Sequence, residues 1–265
     1  MRRQISKSLL AFFLALPFAN LSFSEIATAS SAVQVTQETS SYANDYRAAK
    51  KLHQALRNGD RRAVAALIQY PLMRQPPLNS IKNGKDFLKH WEEYFDSVST
   101  KAVLAASAEQ FGWRGIALKD GMVWFNNGRI ISINTQTAAN QKALQAAKKQ
   151  DNNRLYTSAR DYDKITFQCR TKRLFIRVQQ HGDDLRYFAW KKDADLLTKP
   201  ELELGGGTYD AQGSGGNFDL EFKNDSFTYS LNVGHYLCGE DCNDHLVILE
   251  GSKIQSSEVC TEVKS

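Results

Sequence analysis

The hydrophobic period of this chain changes once within its first half, from about 3.6 residues to two, and that change limits the folds open to it. Before Ser107 the apolar residues recur at helical spacing. Tyr46, Ala49, Leu52 and Leu56 share one helix face behind a capping Asn44, and Asn58-Gly59 stops that helix. Asp60 caps a second, short helix carrying Val64, Leu67 and Ile68, ended by Tyr70-Pro71. Phe87, Leu88, Trp91, Tyr94 and Phe95 mark a third helix, with Lys85, Lys89 and Glu92 on its other side. Ser99 to Ser107 predicts a fourth. From there the period is two. Phe111, Trp113, Gly115 and Ala117 are expected on one face of a strand, and Arg114, Ile116 and Leu118 on the other. Asp120-Gly121 and Asn127-Gly128 supply tight turns, so Met122 to Phe125 and Ile130 to Ile133 complete a three-strand antiparallel meander. Helices followed by a meander predict an α+β fold, with the apolar helix faces packed on one face of the sheet.

The second half has another grammar. Ala138 to Gln150 reads as an alanine- and lysine-rich connector helix, broken by Asp151-Asn152-Asn153. After Tyr156 come KITFQC, RLFIRVQ, LRYFAWK, ELELGG, NFDLEF, SFTYSLNV, HLVILE and KIQSSEVC, separated by Gly, Asn and Asp turns. They predict a C-terminal all-β sandwich or barrel domain of about eight strands. The expected organisation is a signal peptide over 1–24 (its exit as late as 29), a flexible leader over 25–42, an α+β domain over 43–135, a connector over 136–153 and a β domain over 154–265.

Compartment follows from the first residues. Arg2, Arg3 and Lys7 precede the apolar run LLAFFLALPFANLSF, and small-residue triplets end it. This is the pattern of a secretory signal, because the run is shorter than the ~20 residues that span a bilayer. A periplasmic or secreted protein without a membrane span is therefore expected. Cleavage after Ser24 leaves 31 basic residues against 29 acidic, a net charge of +2, so the basicity of the whole chain is mostly its leader. No concentrated basic stripe remains to support nucleic-acid binding. The four cysteines, Cys169, Cys238, Cys242 and Cys260, all fall in the second half and predict two disulfides, with three connectivities open.

The runs AVAALIQYPL, NGKDFLKHWEEYF and FGWRGIALKDGMVWFNNGRIISIN together resemble exported members of the nuclear transport factor 2-like superfamily over Asp45 to Asn134. That resemblance implies a cone whose helices and curved sheet enclose a pocket. It implies no single activity, since the superfamily includes isomerases, dehydratases, binding modules and proteins with no chemistry. The inward residues would come from Leu52, Leu56, Phe87, Trp91, Tyr94, Phe95, Phe111, Trp113 and Trp124. Such side chains are bulky, each burying ~150–250 Å², so the cone interior is expected to be largely filled. On this reading Trp113→Ala removes a core aromatic and costs about 3–5 kcal/mol. The meander offers no inward Asp or Glu, which counts against catalysis there.

Several motifs admit sharper chemistry. His235, Cys238, Cys242 and His245 have the side chains of a zinc site. In an oxidising compartment, and between two strand runs, pairing of the cysteines is the expected outcome. The run GGGTYDAQGSGGN lacks the strand-before, helix-after setting of a phosphate loop and reads as turns, and Ser214 within it lacks a nucleophile-elbow context. His53 and His90 are expected as helix-boundary residues. Arg114 beside Trp113 could anchor an anion, with Trp113 and Trp124 as walls, but strand alternation sets Arg114 and Trp113 on opposite faces. The ligand-pocket candidates are thus Trp91, Tyr94, Trp113, Arg114 and Trp124, with no catalytic set, metal or cofactor expected. The functional expectation is an exported, non-catalytic binding protein that meets another exported protein or a small ligand, its contact surface drawn from Tyr187, Phe188, Trp190, Tyr209, Tyr229 and Tyr236. The alternative is a small-molecule enzyme or ligand binder using the cone pocket.

Overall fold

Side-chain caps fix where the helices begin. The structure is a computed structural model and describes residues 42–212, 216–234 and 243–263. Helix α1 (Ala43–Arg57) buries Ala48, Ala49, Leu52, Ala55 and Leu56. Helix α2 (Arg61–Leu67) starts where the Asp60 carboxylate accepts from the Ala63 amide. Asn83 does the same for α3 (Gly84–Lys89), and Asp96 with Ser99 forms a capping box on α4 (Ser97–Ala105). The third predicted helix is shorter than its apolar spacing implied. His90, at φ −102° and ψ 16°, leaves the helical region, and Trp91–Glu93 continues as a 3-10 turn. Phe87, Trp91, Tyr94 and Phe95 stay together regardless, with the Trp91 and Phe95 rings 4.9 Å apart.

The meander departs more from expectation. It has four strands rather than three, in the order β1 (Ala108–Gln110), β2 (Ile116–Leu118), β3 (Val123–Asn126), β4 (Arg129–Ile133). The single predicted strand through Phe111 and Trp113 is cut by a 3-10 turn at Gly112–Arg114. Two glycines cause the break: Gly112 and Gly115 have φ of +57° and +92°, which a strand does not tolerate. At Gly115 a Cβ would lie 2.0 Å from the Phe125 carbonyl oxygen, so only glycine lets β2 and β3 close there. The buried Asp45 carboxylate ties α1 to the last hairpin by accepting from the Gly128 amide at 2.5 Å.

Helix α5 (Ala138–Asn152) leads to a second sheet, and Asn44–Ser265 packs as one unit. This sheet holds β5 (Lys164–Arg170), β6 (Leu174–His181), β7 (Asp184–Lys191), β8 (Leu202–Leu204), β9 (Thr208–Gln212), β10 (Asn217–Asn224), β11 (Phe227–Val233), β12 (Asp244–Glu250) and β13 (Lys253–Glu262). Its nine strands are antiparallel in the order 8-7-6-5-13-12-11-10-9. The extra strand, β9, is the Thr208–Gln212 stretch expected to be loop. Six strand spacings separate β7 from β10, or ~29 Å in a flat sheet at ~4.8 Å each. Yet the Tyr187 and Phe222 rings are 5.4 Å apart, so the hydrogen-bonded sheet curls back until its two halves share one core. Gly207 serves that curl: a Cβ there would sit 2.1 Å from the Phe222 ring.

The outer face of β5–β7 is covered as well. Leu155, Ala159 and Tyr162 pack there on Ile165, Phe175, Phe188 and Trp190. Strands buried on both faces carry continuous apolar runs. Tyr187, Phe188 and Trp190 are consequently core residues, which corrects the expectation that they form an exposed contact surface. Tyr209 is exposed and Tyr229 half-buried, while Tyr236 lies outside the described residues. Among the described residues no helix is long and apolar enough to cross a membrane.

Candidate functional site

A cleft of about 740 Å³ opens between the segment around Arg74 to His90 and the end of α5. The first wall begins as a small loop closed by reciprocal Leu72 and Ile81 backbone hydrogen bonds of 2.9 Å, which carries Arg74. It continues into α3, where the Asp86 carboxylate accepts from the Lys82 amide at 3.0 Å and holds the entry turn. Lys85 and Lys89, four residues apart, stand exposed on that helix. The opposite wall is Ala147, Gln150, Asp151 and Arg154. Helix α5 is pinned at both ends. Thr137 Oγ1 donates to the Glu92 carbonyl at 2.9 Å and accepts from the Asn140 amide at 3.0 Å. At the other end Asp151 meets the buried Arg177 of β6, and the Tyr162 hydroxyl donates to Asp151 Oδ2 at 2.7 Å.

Positive charge dominates the lining. Arg74, Lys82, Lys85, Lys89 and Arg154 face the carboxylates of Asp86 and Asp151, and Asp151 is already balanced by Arg177. Arg74 differs from the lysines in its burial: its side chain is only 6% exposed. It pairs with Glu93 through Nη2 and lies 6.0 Å over the Tyr94 ring, and its Nε–H, sealed from solvent, has no hydrogen-bond partner among the described residues. The other Glu93 oxygen is 2.7 Å from His90 Nδ1, and His90 Nε2 is 3.8 Å from Asp86. Burial, outweighing the nearby Arg74 guanidinium, pushes the Tyr94 hydroxyl up to about 12, so it stays protonated at physiological pH. Glu93 thus takes up His90 Nδ1, while Nε2, at 3.8 Å, is beyond hydrogen-bond reach of Asp86. The arrangement is suited to holding an anion.

The residues singled out from the sequence lie elsewhere. Trp91 and Tyr94 are buried in the helical core behind the cleft. Trp124 sits half-buried on β3 against Phe111, with ring centroids 4.9 Å apart. Trp113 is 48% exposed on its 3-10 turn, where the Arg114 guanidinium lies 5.5 Å over its ring. Because the strand is interrupted there, the alternation that set Trp113 and Arg114 on opposite faces does not apply. None of these five lines the cleft. The large cost expected for Trp113→Ala is corrected accordingly: a thermal melt should show a loss within about 1 kcal/mol, as for a surface position. A drop of the size seen for core aromatics would overturn this placement.

His90 does end α3, as expected for a boundary residue, and it also lines the cleft, whereas His53, expected at a boundary as well, lies inside α1. Arg74, Glu93 and Arg154 carried no signal in the sequence, because the cleft joins segments far apart in the chain. Cys169 and Cys260 are disulfide-bonded. His235, Cys238 and Cys242, three of the four residues of the zinc-like tract, lie outside the described residues, as does Ser214, and His245 is in β12. The glycine run acts as structure where it is described: the Gly206 amide donates to Asp184 Oδ1 at 2.7 Å, joining loop to strand. No family model, curated protein or solved structure matches this chain.

Proposed function

We propose that this chain is an exported binding protein without catalytic activity, and that its ligand seat is the basic cleft between α3 and α5. Export is supported by the basic-then-apolar start of the chain and by the Cys169–Cys260 disulfide. The order of helices and meander over Asp45 to Asn134 supports reading that part as a nuclear transport factor 2-like cone, with the cleft outside its aromatic interior. One observation carries the functional reading: a nearly buried arginine, together with Lys82, Lys85, Lys89 and Arg154, lines a concave surface of ligand size on which cations outnumber carboxylates. A desolvated guanidinium costs free energy that the fold recovers only in part through Glu93, and an anion would offset the rest.

An enzyme working in the same cleft is the second reading, favoured by the His90–Glu93 pair. One experiment separates the two. The purified chain is incubated with a defined mixture of small anionic and neutral metabolites, desalted rapidly, and the retained compounds are identified by mass spectrometry. Retention of a compound in unchanged form is expected. Conversion that disappears in His90→Ala would replace binding with catalysis, and retention of nothing would defeat the proposal.

A further inference from the structure

We infer that the cleft takes a soluble, sugar-sized molecule bearing a phosphate dianion, with Arg74 as the buried anchor of the charged group. This inference rests on the cleft being the ligand seat. Its first support is charge. The five lining cations and Arg177, set against Asp86, Asp151 and Glu93, leave a surplus of three positive charges. A monocarboxylate would leave most of that surplus unmatched, whereas a phosphate monoester brings close to two negative charges at neutral pH. Arg74 lines the cleft as a fixed, planar cation held in place by Glu93, while Lys82, Lys85 and Lys89 act as point charges around it.

Size and lining define the rest of the molecule. The cleft, about 740 Å³, is far larger than a phosphate group and falls in the range that holds a small organic ligand. Asn79, Ser80 and Gln150 line it with groups that suit hydroxyls. Among the described residues no Phe, Tyr or Trp lines it, and the His90 ring is held by Glu93, so the broad stacking surface that favours a nucleobase is missing. A polyol body fits this lining better than a nucleotide does.

Titration calorimetry of the full chain with glucose 6-phosphate, inorganic phosphate, glucose and adenosine monophosphate tests the inference. Glucose 6-phosphate should bind tightest, inorganic phosphate at least about 10-fold more weakly, and glucose not at all. Lys85→Gln with Lys89→Gln, both at exposed positions, should raise Kd about 10-fold and flatten its salt dependence. Arg74→Gln should raise Kd about 10–100-fold, and the lysine pair keeps the test valid if that variant folds poorly. Glucose binding as tightly as its phosphate would overturn the ligand class while leaving a binding protein. Tighter binding of adenosine monophosphate would overturn the polyol body. An unchanged Kd in the double lysine variant would remove the cleft as the seat. No heat with any phosphorylated probe, alongside retention of another compound after desalting, would overturn this inference alone.

Discussion

Replacing Cys169 and Cys260 together by alanine should lower the unfolding free energy by about 4–5 kcal/mol. The bond closes a loop with a sequence separation of 91 residues. In the chain-entropy treatment, freeing a loop of that size costs about 4.6 kcal/mol. The location adds to the effect. Elsewhere in the large sheet neighbouring strands pair over several residues, but β5 and β13 pair only through Arg170 with Thr261 and Cys169 with Glu262. Among the described residues one flanking hydrogen bond, Val263 amide to Gln168 carbonyl at 3.0 Å, extends that ladder. This junction joins β5–β8 to β9–β13, so the staple sits where the sheet has least backbone pairing. A thermal melt of the double variant should fall by about 10–18 °C. Amide exchange should also accelerate on both sides of the β5–β13 seam before the rest of the sheet. A melt within about 2 °C of the parent would mean that the short ladder suffices without the bond.

How much of this was readable from the sequence depended on whether the cause was local. Asp60 caps its helix as expected because a short polar side chain reaches the backbone three residues on, whereas Asn44, expected as a cap too, lies inside α1, which starts at Ala43. The α+β order and most of the C-terminal strands follow from hydrophobic period in the same way. Gly112 and Gly115 show where period misled. Phe111, Trp113 and Ala117 alternate correctly for a strand, but the glycine between each pair takes positive φ, and Gly115 does so because Phe125 approaches from another strand. The inward side of Tyr187 and the outward side of Phe188 look alike in sequence, and only the packing of residues 155–162 buries the second. The cleft was least readable of all. Arg74, Lys85 and Arg154 are ordinary surface-type residues until the loop, α3 and α5 bring them to one concavity.

The second large effect concerns the joint that holds one wall of that concavity. Asp151→Ala is expected to cost about 3–5 kcal/mol, the range for breaking a buried ion pair from one side. Arg177, whose side chain is 3% exposed, reaches Asp151 through Nη1 at 3.2 Å and through Nη2, stacks 4.8 Å from Tyr162, and already has an unpartnered Nε. Removing the carboxylate leaves a full positive charge with no aqueous exit. The reverse change is gentler. Arg177→Met fills much of the same volume with apolar atoms, and Asp151, 20% exposed on the cleft, keeps the Tyr162 hydroxyl and gains water. Its cost should be about 1–2 kcal/mol. Combining both changes should recover much of the loss from Asp151→Ala, because the stranded charge is then gone. Denaturant unfolding of the three variants checks the order. If the double variant were no more stable than Asp151→Ala alone, the loss would come from the end of α5 lifting off β6 rather than from an unpaired guanidinium.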